Sequence, residues 1–499
     1  MRKRSWWGWG WEDQALDQEG LDQLAKRVRD LLPLDGDVTP IPEVSALKEG
    51  LNPSEIGVAR RDDAETRAAH THGKAYRDVI RNLRGELTRP PDWVWYPANE
   101  DEVERVLEWA AQANAAVIPF GGGTSVVGGI EYRGPERPMT VMDLSNMDKV
   151  LEIDETSLAV RAQAGIFGPA LEDRLRPHGL TLRHYPQSFE FSTLGGWLAT
   201  RAGGHFATGY THIDDLVESM RVVTPAGVAE TQRVPASGAG PEPNRLWLGS
   251  EGALGVITEA WVRVQRRPSF KESAAVSFED YQRAVAATRE IAQSGLGPAN
   301  CRLLDPLESM LGAGASDGAS RLILGFESAD HPVSVAMQRA VEICASHGGL
   351  VAEADQWRGT FLKAPYLRDG LARLGVVVET FETACTWSNF ERLHIAVLEA
   401  VSPAFVTCRF THVYPDGPAP YFTVYAAGRR GAEVEIWDEL KAKASAALVA
   451  NGGTITHHHA VGRDHLPWYT PTEPFALALR AVKQTLDPHG ILNPGVLGL

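Results

Sequence analysis

Pro119-Phe-Gly-Gly-Gly-Thr-Ser125 overlaps the end of the apolar run Ala116-Val-Ile-Pro-Phe120, and the reading of that junction decides the fold. A short apolar run that ends abruptly in glycine predicts a buried strand and a tight turn. Consecutive glycines let the backbone approach a ligand closely and turn its N–H groups outward. Thr124 and Ser125 add hydroxyl donors, and Gly128-Gly129 keeps the next turn open. The stretch therefore suits a pyrophosphate. It is neither a G-x-G-x-x-G running into a helix nor a P-loop, because no Lys-Ser/Thr follows. Taken alone, an ordinary tight turn explains it equally well.

The flanking sequence has the texture of an α+β nucleotide-binding domain. Val94-Trp-Tyr-Pro97 predicts a strand. Asn99 caps a helix over Glu102–Asn114 with Val103, Val106, Leu107 and Ala110 on one face. Strands follow at Thr140–Asp143 and Leu158–Arg161, then a helix near Pro169–Leu175. We divide the chain into a helical and loop-like region at 1–89, with a charged helix over Asp62–Arg84, and a nucleotide-binding domain at 90–267. A substrate-capping α/β domain occupies 268–478, with helices at Phe278–Ser294, Pro332–His347 and Val434–Asn451 and strands at Ser320–Phe326 and Tyr421–Ala427. A C-terminal segment at 479–499 returns to the nucleotide-binding domain.

Composition limits the function. The 499 residues, 43% hydrophobic and 8% aromatic, suit two or three domains with sizeable cores. No run approaches the ~20 apolar residues that span a bilayer. The start, Met1-Arg-Lys-Arg-Ser-Trp-Trp-Gly-Trp-Gly-Trp11, is basic but lacks the apolar region and cleavage site of an export signal. Its indole rings either contact a membrane surface or pack on the body of the protein; we expect packing, and a cytoplasmic protein with at most a peripheral membrane contact. Cys301, Cys344, Cys385 and Cys408 are widely spaced, as in reduced thiols without structural zinc. A net charge of −15 disfavours nucleic acid as a partner. A small or lipid-like anionic substrate remains compatible if a few arginines line one pocket, and we expect a homodimer.

Two further segments change the weight of the glycine loop. His184-Tyr-Pro-Gln-Ser-Phe-Glu-Phe-Ser-Thr-Leu-Gly-Gly-Trp-Leu-Ala-Thr-Arg-Ala-Gly-Gly204 joins hydroxyls, paired glycines and one arginine. Gly249-Ser-Glu-Gly-Ala-Leu-Gly-Val-Ile257 sets small residues before a β-branched strand. In this order and spacing the three blocks resemble the FAD domain of vanillyl-alcohol-oxidase-type flavoproteins, and Asp487-Pro…Asn493-Pro-Gly495 is similar to the end of many FAD-linked oxidases. The resemblance implies FAD on Pro119, Phe120, Gly121, Gly122, Gly123, Thr124 and Ser125. It adds Pro186, Gln187, Ser188, Phe189, Glu190, Phe191 and Ser192, then Thr200, Arg201, Ala202 and Gly203. The third block contributes Glu251, Gly252, Ala253, Leu254, Gly255, Val256 and Ile257. Many relatives carry a flavin-linked histidine in the glycine loop; this loop has none, so non-covalent FAD is expected.

Other stretches narrow the resemblance to the alkyldihydroxyacetonephosphate synthase family. They include Trp7-Gly-Trp-Gly-Trp-Glu-Asp13, Arg67-Ala-Ala-His-Thr-His72, Asp214-Asp-Leu-Val217, Ala299-Asn-Cys-Arg-Leu-Leu-Asp305 and Tyr366-Leu-Arg-Asp369. Glu379-Thr-Phe-Glu-Thr383, Thr407-Cys-Arg409 and Asn451-Gly-Gly-Thr-Ile-Thr-His-His-His459 complete the set. What this implies is a redox-neutral exchange of the fatty acid of acyl-dihydroxyacetone phosphate for a long-chain alcohol, through an adduct on flavin N5. Such chemistry needs cationic forks for phosphate and carboxylate, for which Arg302, Arg368 and Arg409 are the candidates. It also needs proton-handling groups, and His457, His458, His459 and Tyr421 supply them. Adjacent side chains on extended backbone point to opposite faces, so one or two of the three histidines should reach the site, and no metal is expected. His70 and His72, on a polar helix, are read as structural.

The rival reading is a flavin-dependent 2-hydroxyacid dehydrogenase. That type carries His-x-Gly-Asp-Gly-Asn-x-His and Glu-His-Gly, where this chain has His412-Val-Tyr-Pro-Asp-Gly-Pro-Ala-Pro-Tyr421 and the histidine triplet. A third reading is a catalytically silent FAD-bound scaffold. Ala460 and Arg463 depart from the synthase pattern, which usually has glycine and lysine there. No peroxisomal element is seen, the chain ending Leu497-Gly-Leu499.

Overall fold

A computed structural model describes residues 2–44, 47, 50, 55–210, 212–313, 317–352 and 357–499. Ala116–Phe120 is a strand, buried except at Pro119. It lies in a four-stranded sheet with Met139–Asp143, Val94–Trp95 and Arg60–Arg61, the first three strands parallel. Parallel strands need a crossover, and Glu100–Ala113 supplies the one from Val94–Trp95 to Ala116–Phe120, the two strands that flank Met139–Asp143. The Asn99 side chain accepts from Glu102 N, Asn114 ends the helix at φ 48°, and Val103, Val106, Leu107 and Ala110 are buried as the periodicity predicts. Beside this sheet stands an antiparallel one, Val150–Asp154, Ala159–Gln163, Val256–Arg263, Val217–Thr224 and Gly227–Glu230 in spatial order. One apolar core joins the two.

The following part is built on a seven-stranded sheet. Its order is Leu350–Ala352, Phe270–Phe278, Ser320–Ser328, Asn300–Leu304, Phe405–Val413, Pro418–Ala427 and Val376–Glu382. Every neighbouring pair is antiparallel. Successive side chains on a strand point to opposite faces. Accordingly Cys301 and Leu303, Cys408 and Phe410, and Phe422 and Val424 fill a core shared with helices Tyr281–Gln293, Ser334–Ser346 and Trp387–Ala400. Arg302, Arg409, Thr411, Tyr421 and Thr423 then fall on the opposite face, which looks into a cavity. That alternation is what turns scattered sequence positions into one wall.

Three expectations change. The helix expected from Phe278 begins at Tyr281, because Asp280 caps the amides of Gln282 and Arg283 and Phe278 closes a strand. The helix expected over Asp62–Arg84 is two helices, Ala64–Ala69 and Tyr76–Leu83. Between them Gly73 lies so close to the glycine loop that a Cβ would sit 2.3 Å from Ser125 O, and Lys74 N donates to that oxygen at 2.6 Å. His70 and His72 therefore lie at this break, not within a helix. His70 Nε2 is 3.0 Å from Asp143 Oδ2 and His72 Nδ1 is 2.8 Å from Asn82 Oδ1, both buried. The tryptophans of the N-terminal stretch pack inward: Trp6, Trp7 and Trp9 are buried.

The C-terminal helix Glu473–Leu486 delivers Lys483 into a buried clamp. Lys483 Nζ donates to Ala253 O, Asp487 Oδ2 and Leu492 O, each at 2.7 Å. Asp487 in turn accepts from Ile491 N and Leu492 N, and Asn493 Nδ2 donates to Gly129 O at 3.0 Å and Glu251 O at 2.7 Å. The last residues thus brace the glycine loop from behind. Lys483→Ala would leave the Asp487 carboxylate buried without its cation, a loss of about 3 kcal/mol. Thermal unfolding should show a fall in Tm of several degrees, and an unchanged Tm would contradict the clamp.

Candidate active site

Between the sheets lies a cavity of about 1360 Å³, larger than the ~300–1,000 Å³ of an ordinary small-ligand site. The glycine loop forms one wall. At Gly122 a Cβ would lie 1.7 Å from Phe191 O, and Gly123 has φ 68°, so neither position admits a side chain without displacing backbone. The loop is pressed against the Phe191–Thr193 turn on one side, with its other side open to the cavity. A pyrophosphate and a flat ring system fit this cradle.

The expected cofactor residues divide. Pro119 to Ser125, Pro186, Gln187, Ser188, Ser192, Thr200, Ala202, Gly203, Glu251, Gly252, Gly255, Val256 and Ile257 line the cavity. Phe189, Glu190, Phe191, Arg201, Ala253 and Leu254 do not. Phe189 stacks near Trp197, while Glu190 accepts from Trp11 Nε1 at 2.6 Å. Phe191 packs on Trp9 and Trp11. Arg201, a left-handed helix end at φ 54°, pairs with Asp214. Ala253 and Leu254 are core. Sequence spacing identifies the blocks but does not tell wall from backing. Glu251 has a backing role too: its carboxylate accepts from Val461 N at 2.9 Å and Gly462 N at 2.8 Å, and burial raises it to about 7.

The N-terminal stretch closes one end. Arg4 Nη2 donates to Gly122 O at 2.9 Å, Trp9 N to Asp369 Oδ2 at 2.6 Å and Trp11 N to Tyr366 Oη at 3.0 Å. Arg368 belongs to this latch. It lines the cavity, yet its N–H groups bond Asp369 Oδ1 at 2.8 and 3.1 Å and Lys74 O at 2.6 Å. Its guanidinium is thus already engaged, and of the three arginines it is the least suited to grip a substrate anion.

Arg302 and Arg409 are the cationic pair of the sheet face. Burial, and then the neighbouring Arg409 charge, lower Arg302 to about 9. Arg409 is buried as well, but Glu308 at 2.8 Å outweighs that burial and raises it. An anion between the two arginines would relieve their mutual repulsion. The Arg409 guanidinium lies 4.0 Å from the centre of the Tyr421 ring, its register partner across the strands. Burial holds the Tyr421 phenol above its usual range despite Arg409, so it stays protonated.

Of the histidine triplet, His458 and His459 line the cavity and His457 does not. All three backbones converge on Glu382, whose carboxylate accepts from Thr456 Oγ1 at 2.7 Å and from the amides of His457, His458 at 3.1 Å and His459 at 2.9 Å. Burial opposes this charge, but the histidines and Thr456 keep Glu382 below the usual carboxylate range. Burial lowers His458 to about 3 and His459 to about 4, with Glu382 only partly offsetting it, so both rings are neutral at pH 7. Residues that sequence reasoning missed include Glu382, Glu308, His212 and His412. The only sequence signal for Glu382 is its place in the stretch Glu379-Thr-Phe-Glu-Thr383; that it stands directly opposite Tyr421 is set by the strand register.

Two consequences are measurable. Gly122→Ala should abolish flavin retention, read as the ratio of flavin to protein absorbance after gel filtration; full retention would refute the cradle. Acid stability is the second. Burial lowers His72, His184, His212, His394, His412, His457, His458, His459 and His465. Against these nine, burial raises five carboxyl groups among the described residues, Asp78, Glu251, Asp305, Glu379 and Asp438. A histidine depressed in the fold takes up protons first in the unfolded chain, so its stabilisation is intact above ~6.5 and is lost below that as the pH falls. The raised carboxylates act in the opposite sense but are fewer. Tm should fall between pH 7 and pH 5, and a rise would contradict the neutral histidine cluster.

Comparison with known proteins agrees with this geometry. Residues 91–232 match a family model described as "FAD binding domain", and residues 267–497 one described as "FAD linked oxidases, C-terminal domain". An alkyldihydroxyacetonephosphate synthase of Dictyostelium discoideum is 33% identical over 87% of this chain and 77% of its own. One from Caenorhabditis elegans is 34% identical over 86% and 80%. A solved alkyldihydroxyacetonephosphate synthase structure superposes with a TM-score of 0.84 at 29% identity, covering 99% of both chains. With the glycine cradle, the arginine pair and the histidine turn in place, this chain belongs to the alkyldihydroxyacetonephosphate synthase family of FAD-dependent enzymes.

Proposed function

We propose that this protein replaces the acyl group of acyl-dihydroxyacetone phosphate by a long-chain alcohol, forming the ether bond of an ether lipid. The observation that carries this reading is the composition of one cavity. Arg302, Arg409, Tyr421, His458 and His459 line the same cavity as the glycine loop, and its lining also includes the apolar Leu24, Val28, Leu32, Leu307, Met310, Leu371, Val376 and Val378. A substrate that carries both a phosphate and an alkyl chain matches that mixed lining. The 2-hydroxyacid alternative offers no use for so much apolar lining, and Tyr421 takes the place of its second histidine.

Arg302 and Arg409 hold the phosphate and orient the substrate. The chemistry FAD supplies when bound is a ring nitrogen able to carry the substrate carbon while the carboxylate leaves, with no net redox change. A neutral imidazole, His458 or His459, takes the proton from the carbon bearing the ester oxygen. Tyr421, kept protonated, donates a hydrogen bond to the departing carboxylate. The bond from that carbon to the acyl oxygen breaks, the bond to the alcohol oxygen forms, the imidazole returns its proton to the carbon, and the alcohol proton leaves with the carboxylate as the free fatty acid. Leu31, Met310, Leu311, Leu367 and Phe405 are exposed at the cavity rim. This rim, not the buried tryptophans, is the surface that supports contact with a lipid bilayer.

Anaerobic incubation of the holoprotein with acyl-dihydroxyacetone phosphate and hexadecanol should yield alkyl product without lasting flavin bleaching. Bleaching by a 2-hydroxyacid with no alkyl product would overturn the reading. Tyr421→Phe should keep its FAD and lose about 10²-fold in kcat; unchanged turnover would remove Tyr421 from the reaction. Acid denaturation should release all of the flavin into the supernatant, as non-covalent binding requires.

A further inference from the structure

His457 does not line the substrate cavity; its ring sits beside two histidines remote from it in sequence, His212 and the cavity-lining His412. Its ring centre lies 4.8 Å from that of His212 and 5.1 Å from that of His412, and the last two are 5.3 Å apart. Each ring offers a nitrogen such that all three atoms lie within 4.8 Å of one another. Three chain segments converge here: the stretch after the Gly203-Gly204 pair, the strand Phe405–Val413, and the turn held by Glu382.

The hydrogen bonds around the group leave one buried imidazole nitrogen, on His412, without a partner. His412 Nε2 lies 2.9 Å from Gly204 O, an oxygen that can only accept, so this nitrogen carries the hydrogen and Nδ1 is left as a bare lone pair. That Nδ1 is buried and without a hydrogen-bond partner among the described residues, in a side chain only 2% exposed. A backbone carbonyl fixing the tautomer of a ligand histidine through its far nitrogen is the usual support of a metal site. His212 Nε2 and His457 Nε2, the latter at 2.8 Å, both turn to the Tyr414 hydroxyl. One phenol has a single proton and can donate to only one of them.

We propose that His212, His412 and His457 form a binding site for a divalent cation of the zinc type. Three imidazoles select borderline cations such as Zn²⁺, Co²⁺ or Ni²⁺ over Mg²⁺ or Ca²⁺. The fourth position falls to water or to the Tyr414 oxygen. Zinc–nitrogen bonds of ~2.0–2.1 Å need the three nitrogens about 3.3 Å apart, so the rings draw together by roughly 1.5 Å at most. The neighbouring group of Glu382, His457 and His458 is the weaker candidate, because its carboxylate already accepts from Thr456 and three amides. Only one histidine of the triplet joins the site. That is why the triplet alone predicts no metal, and why the dehydrogenase pattern, which would use position 421, does not describe it. The cation ties the segment around His212 to the wall that carries His458, so it acts as a positioning clip beside the active site.

The test uses chelator-treated holoprotein dialysed against equimolar zinc chloride, with zinc measured by mass spectrometry and its ligands by X-ray absorption. The expected result is one zinc per chain with an imidazole shell, lost in His212→Ala while FAD content is kept. No zinc above the buffer control would overturn the proposal, and so would equal zinc in wild type and His212→Ala. If His212→Ala fails to retain FAD, the wild-type absorption spectrum decides alone: a shell without imidazole scattering refutes the site.

Discussion

One buried carboxylate sets the arrangement of the histidine turn. Glu382 is fully enclosed at the end of the strand Val376–Glu382, opposite Tyr421. A charge in such a place is costly unless every lone pair is met. Here the Thr456 hydroxyl and three successive backbone amides meet it. To bring three amides to one carboxylate, residues 457–459 must bend, and a bend fans the three rings outward. His458 and His459 enter the cavity while His457 turns back toward His212.

The second constraint is how tightly backbone packs around the glycine loop. Gly122 leaves no room for a Cβ against Phe191, and Gly73 leaves none against Ser125. Backbone packed that closely cannot carry side chains to satisfy its polar groups, so long side chains from elsewhere do so. Arg463 donates to Gly128 O, Gly129 O, Asn493 Oδ1 and Pro494 O. Asn493, Glu251 and Arg4 add their own bonds to the same region. The N-terminal latch, the histidine loop and the last residues therefore all meet at the glycine loop, although they lie hundreds of positions apart in sequence.

Much of this was readable beforehand wherever the signal is local. The glycine loop, the capped helix over Glu100–Ala113 and the inward-packing tryptophans follow from turn chemistry, periodicity and burial cost. The break at His70–Ala75 was not, because a polar run with helical composition gives no warning that Gly73 must touch another loop. The strand Val376–Glu382 escaped notice for a related reason: covered on both faces, Val-Val-Val-Glu-Thr-Phe-Glu lacks the regular alternation of polar and apolar residues that marks a half-exposed strand. Arg368 shows the limit for site residues, since its motif placed it at the cavity while its hydrogen bonds commit it to the latch.

The sequence by itself determined the flavin cradle, the family and the identity of the arginines, tyrosine and histidines, because each is a matter of residue type within a short motif. Only the tertiary structure decided how those residues are used. Antiparallel register set Arg409 against Tyr421, the Glu382 turn split the histidine triplet between two sites, and His212 and His412 joined His457 from distant segments. The physical reason is that side-chain direction depends on strand register and backbone curvature, and both are fixed by long-range packing that no local pattern records.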